Sequence, residues 1–172
     1  LHEGRILAEG TPEEIAASDR SLTGGFLAGS YFIVQNGDGS DMIFGGAGSD
    51  TLDLSAVTGG AVIDLGAYTP IGTAKSGGIT DHLMGIENVI GSEGADTIKA
   101  GLAINVMTGG DGEDVFVFVS AGTANGDVIT DFQVGDKIDL ILKLMSAGVP
   151  LRFTELFSGA ASRAEIVVTF LA

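Results

Sequence analysis

Aspartates recur in this chain at a fixed distance behind glycines, and that spacing is where chemistry is most readily done. Five nine-residue frames align: 36–44 (NGDGSDMIF), 45–53 (GGAGSDTLD), 91–99 (GSEGADTIK), 100–108 (AGLAINVMT) and 109–117 (GGDGEDVFV). Against the template GGxGxDxUx, where U is a large apolar residue, 20 of the 25 fixed positions match. A repeat of this period is the mark of a solenoid. The sixth position holds Asp41, Asp50, Asp96, Asn105 and Asp114, and the eighth holds Ile43, Leu52, Ile98, Met107 and Phe116. Glycine lets a turn adopt positive φ and bring its backbone close to a neighbour. A row of such turns presents carbonyl and carboxylate oxygens together. That is the donor set of a hard cation, and Ca²⁺ takes 6–8 oxygens at about 2.3–2.6 Å. The candidate ligands are Asp41, Asp50, Asp96 and Asp114, carried by Gly37, Gly39, Gly46, Gly48, Gly94, Gly110 and Gly112.

Nine residues divide into a six-residue turn and a three-residue strand. Side chains alternate along a strand, so only its middle residue points inward, which is why the eighth position alone must be apolar. Two units make one coil of a thin two-sheet sandwich, with a turn on either side. Turns two units apart then stack, so Asp96 and Asp114 share one side and make the best single site. Loops 36 and 45 face opposite sides and must each find a partner within 54–90. There, 61–65 and 86–90 alternate like strands, while the stretch holding Pro70, Gly77-Gly78 and His82 is expected to be a longer surface loop. Further strands are expected at 127–132, 135–140 and 165–172.

Charge supports a cation as partner. The net charge is −15, and residues 36–140 hold 16 Asp/Glu against 3 Lys. Such a balance opposes nucleic acid and anionic membranes. With no Cys there is neither a disulfide framework nor a thiolate metal site. No HExxH, no GxSxG and no GxxxxGK[ST] occurs, so a catalytic role for this stretch is not expected. No basic-plus-apolar leader opens the chain, and no apolar run approaches the ~20 residues of a membrane helix. The start at Leu1 without Met predicts a piece of a longer protein.

The repeats resemble the RTX, or haemolysin-type, calcium-binding family over about residues 30–140. The GIENVIGSEGADTI join at 85–98 and GDVITDFQVGDKIDL at 126–140 are similar to stretches around the repeats of serralysin-like C-terminal regions. The resemblance implies an all-β fold, a right-handed parallel β-roll (RTX β-solenoid), that binds Ca²⁺ and folds as it does so. It also implies a secreted, extracellular protein exported by a type I secretion apparatus. An enzyme or adhesin whose active part lies elsewhere is the alternative it leaves. The opening segment differs: GRILAEGTPEEI, with Thr11 as helix cap and Pro12 at the first helical position, resembles the final strand–helix segment of ABC-type ATPases, UvrA among them. The expected organisation is therefore a short α/β extension over 1–30, a β-roll over 31–140, and a cap or export signal over 141–172.

Overall fold

The computed structural model describes residues 29–67, 69–119 and 126–140 in full, and the backbone of 151–156 and 163–170. The helix expected within 1–30 and the apolar stretch 141–145 lie outside the described residues. What is described is all strand and turn, in two seven-stranded sheets.

The first sheet runs β1 (Tyr31–Gln35), β3 (Thr51–Ala56), β7 (Asn88–Ile90), β9 (Val106–Thr108), β11 (Val128–Gln133), β14 (Arg163–Phe170) and β13 (Leu151–Leu156). The second runs β12 (Lys137–Leu140), β10 (Val115–Phe118), β8 (Thr97–Lys99), β4 (Val62–Asp64), β5 (Gly72–Ser76), β6 (Ile79–Met84) and β2 (Met42–Phe44). From β1 to β12 the chain alternates between them, except where β4, β5 and β6 lie side by side in the second. Both sheets are mixed. Neighbours β1 through β11 pair parallel, as do β4, β8, β10 and β12, whereas β14 and β13 add antiparallel.

Register aligns the apolar positions into two rows. Phe32, Leu52, Val89, Met107 and Ile129 are neighbours across the first sheet. Ile63, Ile98, Phe116 and Ile138 are neighbours across the second. The rows meet in one core, in which all five eighth-position residues lie, Ile43 at 9% exposure and the other four at 0%. Burying each such side chain contributes roughly 1.5–3 kcal/mol. Phe116 also meets Phe132 with ring centroids 6.3 Å apart.

The stretch around Gly77-Gly78 departs from expectation. Instead of a surface loop it forms the antiparallel hairpin β5–β6, laid between β4 and β2. Gly77 (φ 55°) and Gly78 (φ 84°) are its two turn residues, and two successive positive φ values are what a type I′ hairpin turn needs. His82 is accordingly an exposed strand residue of β6, not a loop residue. The strand expected at 165–172 is β14, beginning two residues earlier.

Candidate functional site

Turns leaving the first sheet for the second stack in one column: 57–61, 91–96, 109–114 and 134–136. Turns leading back stack in another: 45–50, 85–87, 100–105 and 126–127. Both columns follow one rule at every step but that from Glu87 to Asn105, where the Glu87 N–H goes to the Asp50 carbonyl. The residue two before each core apolar position donates its N–H to the acid at the same place one coil later. Down the first column Ala61 donates to Asp96 Oδ1 (2.6 Å), Asp96 to Asp114 Oδ1 (2.8 Å) and Asp114 to Asp136 Oδ1 (3.0 Å). Down the second, Ser30 donates to Asp50 Oδ1 (2.6 Å), Asp50 to Glu87 Oε2 (2.9 Å) and Asn105 to Asp127 Oδ1 (2.8 Å). Asp41 donates likewise to Asp81 Oδ1 (2.9 Å).

The glycines are where this stacking leaves no room for a side chain. A Cβ on Gly112 would stand 2.7 Å from the Ala95 nitrogen and 2.8 Å from the Gly94 oxygen, and one on Gly110 would stand 2.5 Å from the Ser92 oxygen. Gly109 lies directly against the Asp114 carboxylate, and Gly91 against that of Asp96 and the Gly109 carbonyl. Asp96, Asp114, Gly94, Gly110 and Gly112 are thus brought together. Loop 45–50 finds its partner in the 54–90 stretch, with Gly45 and Gly46 against Gly85 and Asp50 against Glu87. Gly46 and Gly48 in that loop hold positive φ of 94° and 120°. Loop 36–41 also meets the 54–90 stretch, through the Asp41 N–H to Asp81 Oδ1 and the Asp41 carbonyl, which accepts from the His82 N–H, but its glycines do not pack against another turn. Asp41 is exposed, and open space surrounds the Cβ positions of Gly37 and Gly39.

Several buried acids escaped the nonapeptide frames: Asp81, Asp127 and Asp131, with Glu87 and Asp136 partly buried. Asp81, Glu87, Asp127 and Asp136 stand two residues before Leu83, Val89, Ile129 and Ile138. An acid-x-apolar spacing, independent of the glycines, would have found them.

Among the described residues, three carboxylate oxygens are buried without a hydrogen-bond partner: Oδ2 of Asp50, of Asp114 and of Asp127. A buried, unpartnered anionic oxygen is costly and calls for a proton or a cation. Burial pushes the Asp114 carboxyl up to about 6, helped by Asp96, Asp136 and Asp131 and opposed by the Asp96 N–H. Burial pushes Asp127 up to about 7 despite the Asn105 N–H. Asp96 is raised as well, again by burial, although Ser92 supplies its Oγ and N–H and Ala61 its N–H. Among the described residues no cluster of three or more His, Cys, Asp or Glu could hold a metal by side chains alone. An ion here must draw on backbone carbonyls with one or two carboxylates. All of these donors are oxygens, which suits Ca²⁺ and not a soft metal.

A family model described as "Peptidase M10 serralysin C terminal" matches residues 28–170. Among curated proteins, the chain is 28% identical to UvrABC system protein A of Agrobacterium fabrum over 91 residues, which is 49% of this chain and 9% of that protein. It is 41% identical to UvrABC system protein A of Listeria innocua over 56 residues, 30% of this chain and 6% of that one. The chain thus spans under a tenth of the length of these relatives.

Proposed function

The chain belongs to the peptidase M10 serralysin C-terminal family, and from that membership and the stacked acidic turns we propose that it is a calcium-binding RTX module of a secreted bacterial protein. In this reading the alternating strands are a right-handed parallel β-roll, interrupted by the β5–β6 hairpin and ended by β14 and β13. Ca²⁺ binds between stacked turns of 91–96 and 109–114, held by Asp114, Asp96 and carbonyls of the glycine turns. A second place lies between 45–50 and 85–87, at Asp50. The observation that carries the proposal is the buried, partnerless Oδ2 of Asp114 inside glycine turns too close for any side chain. Calcium supplies the positive charge that this oxygen lacks, so its binding free energy adds to folding.

Low calcium inside a cell and higher calcium outside would keep the chain extended for type I export and fold it afterwards. The module itself does no catalysis. The family's name supports a peptidase domain elsewhere in the parent protein, with a lipase, a polysaccharide-modifying enzyme or an adhesin as the alternative. Calcium titration followed by circular dichroism tests the proposal. Strand signal should appear with Ca²⁺, poorly with Mg²⁺, and at higher Ca²⁺ in Asp96→Ala/Asp114→Ala. An unchanged spectrum and melting temperature between excess EGTA and Ca²⁺ would overturn it.

A further inference from the structure

The step from Glu87 to Asn105 breaks the rule that every other step of the columns obeys. Elsewhere, the carbonyl at the acid's place accepts the N–H of the residue one further on in the next coil. Asp96 takes Val115, Asp114 takes Lys137, Asn105 takes Val128 and Ala61 takes Thr97. The Glu87 carbonyl should by this rule accept from Val106. Val106 instead donates to the Asn88 Oδ1 at 3.2 Å. The Glu87 carbonyl is met by Asn105 Nδ2 at 2.8 Å, while Asn105 Oδ1 accepts the Gly101 N–H at 2.8 Å. One neighbour is a donor and the other an acceptor, so the orientation of the buried amide follows from its partners. Asn105 is 0% exposed.

We propose that Asn105 is a built-in substitute for a cation, closing the middle of the second column without metal while the metal-binding turns lie elsewhere. The reasoning is one of donors and acceptors. An aspartate at 105 would keep the Gly101 bond through one oxygen but would turn its other oxygen onto the Glu87 carbonyl. Two acceptors then face each other, one of them on a side chain with 0% exposure, and a buried polar group left so costs more than a hydrogen bond is worth. Only a proton or a cation between them reconciles the two. The asparagine NH₂ supplies that positive edge from within the chain. The loss of the repeat's Asp in frame 100–108 is thus a change of glue and not decay of the repeat. Calcium occupancy is set turn by turn by which residue stands at the sixth position.

This deepens the calcium reading and rests on it for the metal that Asn105 replaces. The test is Asn105→Asp in the full chain, with calcium counted by isothermal titration and melting followed in EGTA and in Ca²⁺. N105D is expected to melt below wild type in EGTA, to bind one more Ca²⁺ per chain, and to recover in Ca²⁺. Asn105→Ser, which keeps a donor and adds no charge, should retain the wild-type count. A wild type that binds calcium beside an N105D with the same count overturns the inference alone. So does an N105D that stays unfolded in Ca²⁺ while N105S folds. A wild type that binds none while N105D binds one overturns the calcium reading and leaves Asn105's role standing. If neither binds, both fall.

Discussion

Asp114 carries the proposed calcium reading at the scale of one atom. Its Oδ1 is held by the Asp96 N–H, while its Oδ2 is buried with nothing to accept from. Asp114→Asn keeps the first bond and removes the charge. Without metal the variant should melt no lower than wild type, because the cost of a buried anion is gone. With calcium its folding midpoint should rise about tenfold, equal to ~1.4 kcal/mol. Opposite signs in EGTA and Ca²⁺ are the mark of a ligand, and a residue that merely packs would lose stability in both. Glycines differ among themselves in the same way. Gly112 (φ 121°) faces backbone atoms of 94–95, whereas Gly37 (φ 80°) faces open space. Gly37→Ala should cost roughly 1–2 kcal/mol from its backbone conformation alone. Gly112→Ala should cost more, because a backbone contact cannot move aside as a flexible side chain can. Urea denaturation in saturating Ca²⁺ would rank them, and equal costs would contradict the stacked arrangement.

Among elements, the β5–β6 hairpin bridges what would otherwise be a gap. β2 pairs with β6, and β5 with β4, so the hairpin joins the first coil's strand to the rest of the second sheet. Replacing Gly77-Gly78 by Ala-Ala should destabilise the protein by roughly 1–2 kcal/mol per residue. Asn-Gly, which also suits a type I′ turn, should restore it. Denaturant midpoints would show this, and an unaffected Ala-Ala variant would mean the turn is not what joins the strands. Legibility in the sequence followed regularity. Where the nine-residue frame held, it located Leu52, Ile98, Met107 and Phe116 in the core and stacked Asp96 on Asp114. Where the chain inserted or shortened a unit, glycines no longer marked the turns. Glu87 and Asp127 kept only their distance from the next apolar residue, and Gly77-Gly78 resembled a loop because the short strands beside it carry Thr, Lys, Asp and His among few apolar residues. The exposure of Asp41 depends on which turns neighbour it in space, which no local spacing encodes.

For the whole molecule, the balance of charge decides the conditions under which it folds. Between residues 36 and 140, 16 acids face 3 lysines, and Lys99 is already paired with Asp64 at 2.7 Å. Much of this acid is gathered at the turns, so metal-free folding must bring like charges together while ordering glycine-rich chain. The pH dependence without metal follows from Asp114 and Asp127, whose carboxyls rise from 3.8 to about 6 and about 7 through burial. A group that holds its proton more tightly when folded stabilises the fold fully below its unfolded value, and that stability is lost as pH rises through the folded one. Asp96 and Asp81, also raised by burial, act in the same direction. Burial also opposes the charge of Asp53 and Asp64, but hydrogen bonds from Tyr31 and Lys99 outweigh it and their carboxyls are lowered. Their contribution is lost only as pH falls below about 4 and does not overlap this window. In EGTA the melting temperature should therefore fall as pH rises from about 4 to about 7. On the proposed calcium reading the ion should reverse the slope, because it would compete with protons for the same oxygens and bind the ionised form. In saturating Ca²⁺ the melting temperature should rise over the same interval, and the gap between the two curves should widen toward neutral pH. Thermal melts at several pH values with and without the ion would draw both curves. Parallel curves would mean that the buried carboxylates and the calcium sites are different places in the molecule.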